Sequence, residues 1–152
     1  MKTIAIGADD AAYAFRDAIV NYLAEQGVTV ADYSSDKRQD ADYYPDVAHQ
    51  VAMAVKQGEH DRAILICGTG IGMSIVANKV PGVRAAQCHD TFSAERARKS
   101  NNAQVITLGA RVIGPELGKK IVQAWLDSEY EGGGSAAKVE RIDYYQNQHA
   151  RD

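Results

Sequence analysis

The residues best suited to chemistry are a cysteine and the glycine-rich loop that follows it. An apolar run at residues 64–66 ends at Cys67, and glycine then occupies every second position, at Gly68, Gly70 and Gly72. Alternating glycines let backbone N–H groups turn toward a bound anion. An electropositive cradle of this kind favours the thiolate of a neighbouring cysteine. The pattern indicates a base beside a developing oxyanion, which suits proton abstraction.

The glycine loop matches neither of the common nucleotide-binding patterns. Its spacing is G-x-G-x-G, whereas dinucleotide-binding loops have G-x-G-x-x-G and a P-loop ends in Lys followed by Ser or Thr. Cys67 could instead be an ordinary core residue, because free cysteine is among the most buried residue types. Its predicted place at a strand end favours a functional role, since ligands bind at that edge of an open parallel sheet.

Short apolar segments alternate with helical patterns along the chain, and this alternation predicts an α/β fold. We expect a Rossmann-like, doubly wound sheet of five parallel strands in three α/β/α layers, with a strand order such as 2-1-3-4-5. The predicted strands are residues 3–7, 28–33, 63–67, 83–87 and 104–108. The predicted helices are residues 12–26, 45–56, 71–80, 92–99, 115–126 and 136–148.

The length and composition predict one domain over residues 1–152. Of the 152 residues, 45% are hydrophobic, which is enough for one well-packed core. We divide the chain into a core at residues 1–131 and a C-terminal arm at residues 132–152, which begins with three consecutive glycines. These glycines predict a hinge from which the last helix extends to a partner subunit, and a flexible surface turn is the alternative.

Charge and hydropathy exclude several classes of partner. The net charge is −3 and the basic residues form no stripe, so we expect no nucleic-acid partner. No apolar stretch approaches the length of a membrane span, and no signal peptide precedes the first predicted strand, so we expect no membrane. Nothing besides the two cysteines, Cys67 and Cys88, points to an oxidising compartment. The sequence thus predicts a reduced, cytoplasmic protein.

Several polar residue types follow the predicted strands, at the edge where ligands bind. Asp9, Asp10 and Asp90 could instead cap helices. His89 could be an ordinary loop histidine, and Asn102 could end a helix in a left-handed conformation. Convergence at one edge favours a site built from carboxylates, thiols, an imidazole and amides. The residues at that edge are Asp9, Asp10, Cys67, Thr69, Cys88, His89, Asp90, Asn101, Asn102 and residues 109–111.

Two other classes of α/β protein share part of this pattern. An acidic pair after the first strand is typical of receiver domains, which use it to bind Mg²⁺. Those domains also need an Asp after the third strand and a Lys after the fifth, where this chain has Cys67 and Leu108-Gly109. A flavodoxin-like module needs an aromatic pair beside a suitable loop, which this sequence does not provide. A non-catalytic receiver-like or ligand-binding module is the alternative from a different class.

Segments along nearly the whole chain resemble the ribose-5-phosphate isomerase B / galactose-6-phosphate isomerase family of aldose–ketose isomerases. The most specific is Cys-Gly-Thr-Gly-x-Gly followed by Ala77-Asn78-Lys79. The resemblance implies an enzyme without metal or organic cofactor that interconverts a phosphosugar through a cis-enediolate. The matching segments are IAIGADD, YYPDVAHQVA, ILICGTGIGMSIVANKVPGVRAA, FSAERARKSNNAQVITLGARVIG and WLDSEYEGGG.

The resemblance also assigns roles to individual residues. Cys67 is the base, because Met73 stands where another type of this family carries a glutamate. The loop N–H groups, with Asn101, hold the enediolate oxygens. Asp9 binds substrate hydroxyls and Arg111 contacts substrate or its phosphate. The catalytic candidates are Cys67, Thr69 and Asp9, and the substrate-binding candidates are Asp10, Tyr44, Gly68, Gly70, Ile71, Gly72, His89, Asn101, Arg111 and Lys138.

Departures from the family pattern bear on the substrate. Asp10 and Ser100 stand where relatives carry histidines tied to ring opening, and Gly134 and Lys138 stand where they commonly carry phosphate-binding arginines. A tetrose 4-phosphate cannot close a furanose ring, so it needs no ring-opening group. These departures favour interconversion of D-erythrulose 4-phosphate and D-erythrose 4-phosphate. The alternatives are a ribose-5-phosphate isomerase in which His89 or Asp10 opens the ring, and a subunit of a hexose-6-phosphate isomerase.

The resemblance further implies an oligomer. Relatives are homodimers or dimers of dimers, with active sites at the subunit interface. We therefore expect the C-terminal arm to reach across to the partner, with Lys138 serving the partner's site.

Overall fold

The structure, a computed structural model, describes residues 3–150. Its centre is a single sheet of five parallel strands in the order β2-β1-β3-β5-β4. This confirms the predicted α/β class and the parallel sheet. The strands are β1 (Ile4–Ala8), β2 (Val30–Asp32), β3 (Ala63–Cys67), β4 (Ala85–Gln87) and β5 (Val105–Gly109).

Helices cover both faces of the sheet. Successive side chains of a strand point to opposite faces, and both faces of the central strands carry apolar side chains. Ile64 and Ile66 pack with the helices at residues 13–25, 91–99 and 115–126, whereas Leu65 and Cys67 pack with those at residues 44–56 and 71–77. The result is the predicted three-layer α/β/α arrangement. The helices are α1 (Tyr13–Glu25), α2 (Tyr44–Lys56), α3 (Ile71–Ala77), α4 (Thr91–Lys99), α5 (Pro115–Leu126) and α6 (Ala136–Gln148).

The predicted strand order, 2-1-3-4-5, is wrong for the last two strands, because the observed order is 2-1-3-5-4. β5 lies beside β3 and β4 forms the edge. All five residues of β5 are buried, as expected for a strand covered on both faces. β4 has only three residues and ends at the exposed Gln87, features of an edge strand.

The edge strand β4 is joined to α3 by one side chain. Asn78, which follows α3, donates from its side-chain amide to the Ala85 carbonyl at 2.9 Å and accepts from the Ala85 N–H at 2.8 Å. These bonds satisfy the backbone groups of Ala85, a residue whose ladder partner, Val105, lies on β5. α3 ends at Ala77, three residues before the predicted residue 80.

The C-terminal helix α6 packs loosely on its own chain. Val139 is its buried residue. The Gln146 side chain accepts from the Gly82 N–H at 2.8 Å, and Asp143 lies 3.9 Å from Arg84. Residues 151 and 152 of the predicted arm lie outside the described residues. Between residues 3 and 150, no helix is both long enough and apolar enough to cross a membrane.

Candidate active site

A pocket of about 530 Å³ opens at the carboxyl edge of β1 and β3, where the sequence predicts the site. Strand ends, the glycine loop and the first turns of α2 and α3 all contribute to it. The pocket is lined by Asp9, Asp10, Ala11, Tyr44, Cys67, Gly68, Thr69, Ile71, Gly72, Ile75 and Arg111.

Cys67 is the last residue of β3, and the glycine loop folds back over its thiol. The Cys67 side chain is buried, and its Sγ accepts a hydrogen bond from the Gly70 N–H at 3.1 Å. Gly70 has a φ of 77° and packs so closely that an added Cβ would lie 3.0 Å from the Leu108 backbone. Only glycine fits both conditions, so this turn fixes the direction in which a backbone donor meets the thiol.

The glycine loop is held from behind by β5 and β4, the two strands on one side of β3. The Thr107 hydroxyl of β5 donates to the Gly70 carbonyl at 2.7 Å, and the Gln87 amide of β4 donates to the Thr69 carbonyl at 2.8 Å. The Thr69 hydroxyl accepts from the Ile71 N–H at 3.2 Å. Two N–H groups of the loop thus meet acceptors of the same segment: that of Gly70 bonds the Cys67 sulfur and that of Ile71 bonds the Thr69 hydroxyl.

The acidic pair after β1 shares the pocket with an arginine. The pKa of the Asp9 carboxyl is raised, mainly by burial and further by the nearby Asp10. Two contacts oppose this shift: the hydrogen bond that Asp9 accepts from the Ala11 N–H at 3.1 Å, and the Arg111 guanidinium. Arg111 also lies against the loop, since a Cβ added at Gly68 would lie 3.4 Å from its Nη1. The site therefore combines a thiol, two carboxylates and a cation around one opening.

Tyr44, the first residue of α2, closes another side of the pocket. Its ring lies so close to Gly72 that a methyl group there would overlap the ring. Pro45 stands in the first turn of α2, as predicted, and so fixes where the helix begins beside Tyr44. Ile71 and Ile75, one turn apart on α3, form an exposed apolar wall. Ile75 and Ala11 were not predicted from the sequence, although the four-residue spacing from Ile71 is a signal for Ile75.

Some candidates from the sequence lie outside the pocket lining. Gly70 lies beneath the thiol, and His89 lies behind the loop, where its Nε2 accepts from the Gly109 N–H at 2.9 Å. Asn101 is exposed after α4, and Lys138 is exposed on α6. The structure thus brings together Asp9, Asp10, Tyr44, Cys67, Gly68, Thr69, Ile71, Gly72 and Arg111, but not Gly70, His89, Asn101 and Lys138.

Two residues at this edge have structural roles that the sequence analysis weighed. The Asp90 carboxylate caps α4, accepting from the Ser93 N–H at 2.6 Å and its hydroxyl at 2.7 Å. Asn102 has a φ of 51°, the left-handed conformation expected after a helix.

Cys88 is buried, and this burial raises the pKa of its thiol to about 12. Among residues 3–150, no group of three or more His, Cys, Asp or Glu side chains is arranged to hold a metal ion.

Comparisons with known proteins identify the family of this chain. A family model described as Ribose/Galactose Isomerase matches residues 4–142, and the chain belongs to that family. It is 66% identical over 148 residues to a D-erythrulose-4-phosphate isomerase of Pectobacterium atrosepticum, covering 97% of each chain. It is 47% identical over 142 residues to ribose-5-phosphate isomerase B of Escherichia coli, covering 93% of this chain and 95% of the relative.

The solved structures agree with the relatives. The structure of ribose-5-phosphate isomerase B from Clostridium thermocellum superposes with a TM-score of 0.91 at 42% identity, covering 98% of this chain and 99% of the other. The protein is therefore a sugar-phosphate isomerase with a Rossmann-like fold. This class replaces the alternative of a non-catalytic receiver-like module.

Proposed function

We propose that the protein interconverts D-erythrulose 4-phosphate and D-erythrose 4-phosphate, with Cys67 as the base. The observation that carries this proposal is the 66% identity, over 97% of each chain, to a relative named for that substrate. Two relatives named for ribose-5-phosphate isomerase B are less similar, at 49% and 47%. Identity across a family does not by itself fix a substrate, so the residues of the pocket must also suit a tetrulose.

The pocket suits a substrate that has no ring to open. Asp10 lines it, and within residues 3–150 its lining includes no histidine. Ser100, at the second position where relatives carry a histidine, accepts a hydrogen bond from Arg96 Nε at 2.8 Å. A cyclic pentose or hexose phosphate needs an acid–base group at its ring oxygen. An open-chain tetrulose 4-phosphate needs only the group that moves the carbon-bound proton.

The reaction we propose moves two hydrogens and needs no co-reactant. The Cys67 thiolate takes the proton from C1 of the ketose, giving a cis-enediolate, and returns it to C2, so that the carbonyl moves to C1. The hydroxyl proton on O1 passes to O2, and Asp9 and Thr69 are the side chains proposed to carry it. The loop N–H groups and Asn101 stabilise the enediolate oxygens, and Arg111 and Lys138 bind the phosphate.

Ribose 5-phosphate is the second candidate substrate, because the Escherichia coli relative carries that name. Turnover of this sugar requires a ring-opening group, for which Asp10 or His89 is available. A hexose 6-phosphate is a third, and makes the same demand. The sequence departures and the pocket lining weigh against both.

We propose a homodimer with shared sites, in which Asn101 and Lys138 serve the partner's pocket. Both are exposed and lie outside the lining of their own pocket. Exposed apolar side chains beside the site, Ile71 at 52%, Ile75 at 56% and Phe92 at 70%, supply a surface that a second chain would cover.

Mixing two inactive variants tests the shared site. If Cys67→Ala and Asn101→Ala chains form mixed dimers, one site in each mixed dimer is intact, so random mixing restores about a quarter of the wild-type activity. Self-contained sites give no recovery. Light scattering on the same samples establishes whether dimers form.

We also propose that the enzyme works in the cytoplasm. Cys67 and Cys88 are both free thiols, and a base at Cys67 must stay reduced. Oxidised protein is expected to lose turnover and to regain it with a thiol reductant. Turnover that survives complete oxidation of Cys67 would contradict this role.

The substrate is tested by NMR in D₂O with the purified protein and the two sugars side by side. We expect conversion of D-erythrulose 4-phosphate, with deuterium entering at the exchanging carbon, at least about tenfold faster than conversion of ribose 5-phosphate. A preference for ribose 5-phosphate would overturn the tetrulose proposal and leave the base in place. No conversion of either sugar would direct the search to hexose 6-phosphates or to an unlike partner subunit.

A further inference from the structure

His89 makes a contact that no role in substrate binding explains. It follows β4, is partly buried, and its Nε2 accepts the Gly109 N–H at 2.9 Å. A ring nitrogen that accepts a hydrogen bond carries no proton. The contact therefore requires the neutral imidazole with its hydrogen on Nδ1.

Gly109 begins a turn that holds the site from behind. We call residues 109–111 the β5 turn. An added Cβ at Gly109 would lie 2.7 Å from the Thr69 backbone, so the turn packs directly on the glycine loop. The next two N–H groups of the turn bond the same stretch of chain: Ala110 donates to the Cys67 carbonyl at 2.9 Å and Arg111 donates to the Gly68 carbonyl at 3.0 Å.

The β5 turn thus fixes three groups of the pocket at once. Its hydrogen bonds set the carbonyl of the residue that carries the thiol, its packing sets Thr69, and its last residue is Arg111. In parallel β-pairing, Cys67 is the register partner of Gly109, so a shift of Gly109 moves its partner too. A displacement of about 1 Å at a reacting group can cost on the order of 100-fold in rate.

We propose that His89 is a positioning residue, whose neutral ring anchors the β5 turn and through it Cys67, Thr69 and Arg111. This inference rests on the proposed function, since it takes Cys67 as the base. It assigns His89 a place in the scaffold of the site instead of at a sugar ring oxygen.

The anchor is sensitive to pH because a protonated ring would point an N–H at the Gly109 N–H. Burial lowers the pKa of His89, and the Asp90 carboxylate opposes this shift. Burial raises the pKa of the adjacent Cys88 thiol to about 12, so this thiol is neutral. The charged residue of the β5 turn is Arg111. The neutral ring therefore persists to a pH below the ordinary value of 6.5 for histidine.

The test compares His89→Gln with His89→Ala in the full-length protein. The Gln Oε1 lies as many bonds from Cβ as Nε2 does, so it can accept the Gly109 N–H but does not titrate. We expect kcat to fall about 10- to 100-fold in His89→Ala and to recover to within about threefold in His89→Gln. The ratio of tetrulose to ribose turnover should stay unchanged, and the acid loss of kcat due to His89 should vanish in His89→Gln. His49→Gln, an exposed histidine on α2, is the control and should match the wild type.

Two readouts do not depend on turnover. Nitrogen-15 shifts of the His89 ring should show an unprotonated Nε2, and amide exchange at Gly109 should accelerate in His89→Ala alone. Unchanged exchange at Gly109, or His89→Gln as inactive as His89→Ala, overturns the proposal. Selective loss of ribose 5-phosphate turnover assigns His89 to ring opening and also overturns it. Wild-type protein with the expected exchange but no isomerase activity counts against the proposed function alone.

Discussion

The two edges of the sheet use their polar side chains in opposite ways. At the amino edge, Arg62 directly precedes β3 and is buried, and its Nη1 donates to the carbonyls of Trp125 and Leu126 at 2.9 and 3.0 Å. Its Nη2 donates to the Ser128 carbonyl at 2.8 Å, so it closes the C-terminus of α5. At the carboxyl edge, Arg111 lies two residues after the end of β5 and is exposed in the pocket.

The same contrast holds for the groups that fix each edge. His60 at the amino edge is 2.9 Å from the Tyr33 hydroxyl and 2.6 Å from the Thr3 carbonyl oxygen, so both ring nitrogens are engaged. At the carboxyl edge, backbone N–H groups of the β5 turn hold the loop at Cys67, together with the side chains of Thr107, Gln87 and His89. The polar side chains that line the pocket, Asp9, Asp10 and Arg111 among them, remain available to a ligand. A site is therefore distinguished less by which residues are present than by which have no structural task.

Replacing the thiols gives the largest expected effect on activity. Cys67→Ala removes the proposed base and should lower kcat by about 1,000-fold, within the range for loss of a general base. Cys88→Ala is the matched control: it also removes a buried thiol, from outside the pocket lining, and should retain turnover within about twofold. Initial rates with D-erythrulose 4-phosphate, alongside thermal melts, measure both variants. Cys67→Ala turning over within tenfold of wild type would remove the thiol from the role of base.

Replacing the two arginines breaks the comparison between the edges directly. Arg111→Met should raise KM or lower kcat by about 10- to 100-fold, because a cation in the pocket is lost, with little change in unfolding free energy. Arg62→Met leaves carbonyls at the end of α5 without a donor and should lower the unfolding free energy by about 2–4 kcal/mol, with unchanged activity per folded molecule. Urea unfolding and steady-state kinetics on both variants give the four values. Equal stability losses would mean that the edges do not differ as argued.

The parts of this molecule that sequence reasoning recovered are those written in local patterns. The glycine loop, the strand ending at Cys67 and the acidic pair after β1 each follow from a few adjacent residues, and topology brings them to one edge. The exchange of β4 and β5 was missed because strand pairing is non-local. The lengths and burial of the two strands carried the signal, since the apolar VITLG suits a centre and AAQ an edge.

Structural tasks were harder to predict than chemical ones. Arg62 was not singled out, because its acceptors lie more than 60 residues away in α5. The partner of His89 was missed for the same reason: the Gly109 N–H comes from another strand. A histidine at a strand end therefore looks identical in sequence whether it meets substrate or holds backbone.

Filling the space between Tyr44 and the loop tests how far the pocket tolerates change. Gly72→Ala puts a methyl group into the Tyr44 ring and should lower kcat/KM by about tenfold as the ring is displaced. Gly114→Ala is the control, because an added Cβ there meets nothing within 4 Å and its φ of −82° suits any residue. Its kinetics should match the wild type. Gly72→Ala with unchanged kinetics would show that Tyr44 is not part of the binding surface.

Two carboxylates give the smallest effect and the sharpest form of the comparison. Asp9 in the pocket has a raised pKa, mainly through burial, whereas Asp36 has a lowered pKa through its hydrogen bond to the buried Arg16. The ionised Asp9 carboxylate therefore lowers the free energy of unfolding at neutral pH. This loss disappears as the pH falls through the pKa that Asp9 has in the folded protein, which lies above 3.8. The contribution of Asp36 has the opposite sign: it is present above 3.8 and is lost as pH falls through a folded pKa below that value.

Thermal melts between pH 3 and 7 measure the two contributions. At pH 7 we expect Asp9→Asn to raise Tm by about 1–2 °C while lowering activity, and Asp36→Asn to lower Tm by a similar amount with activity unchanged. Both differences in Tm from the wild type should shrink toward zero as the solution is acidified. The difference for Asp9→Asn should disappear at a higher pH than the difference for Asp36→Asn. A stabilising substitution that removes activity is what a group held for a ligand predicts, since the fold tolerates its charge without a partner of its own. If Asp9→Asn instead destabilises the protein at neutral pH, Asp9 has a structural task, and the contrast between the edges fails at the residue where it matters most.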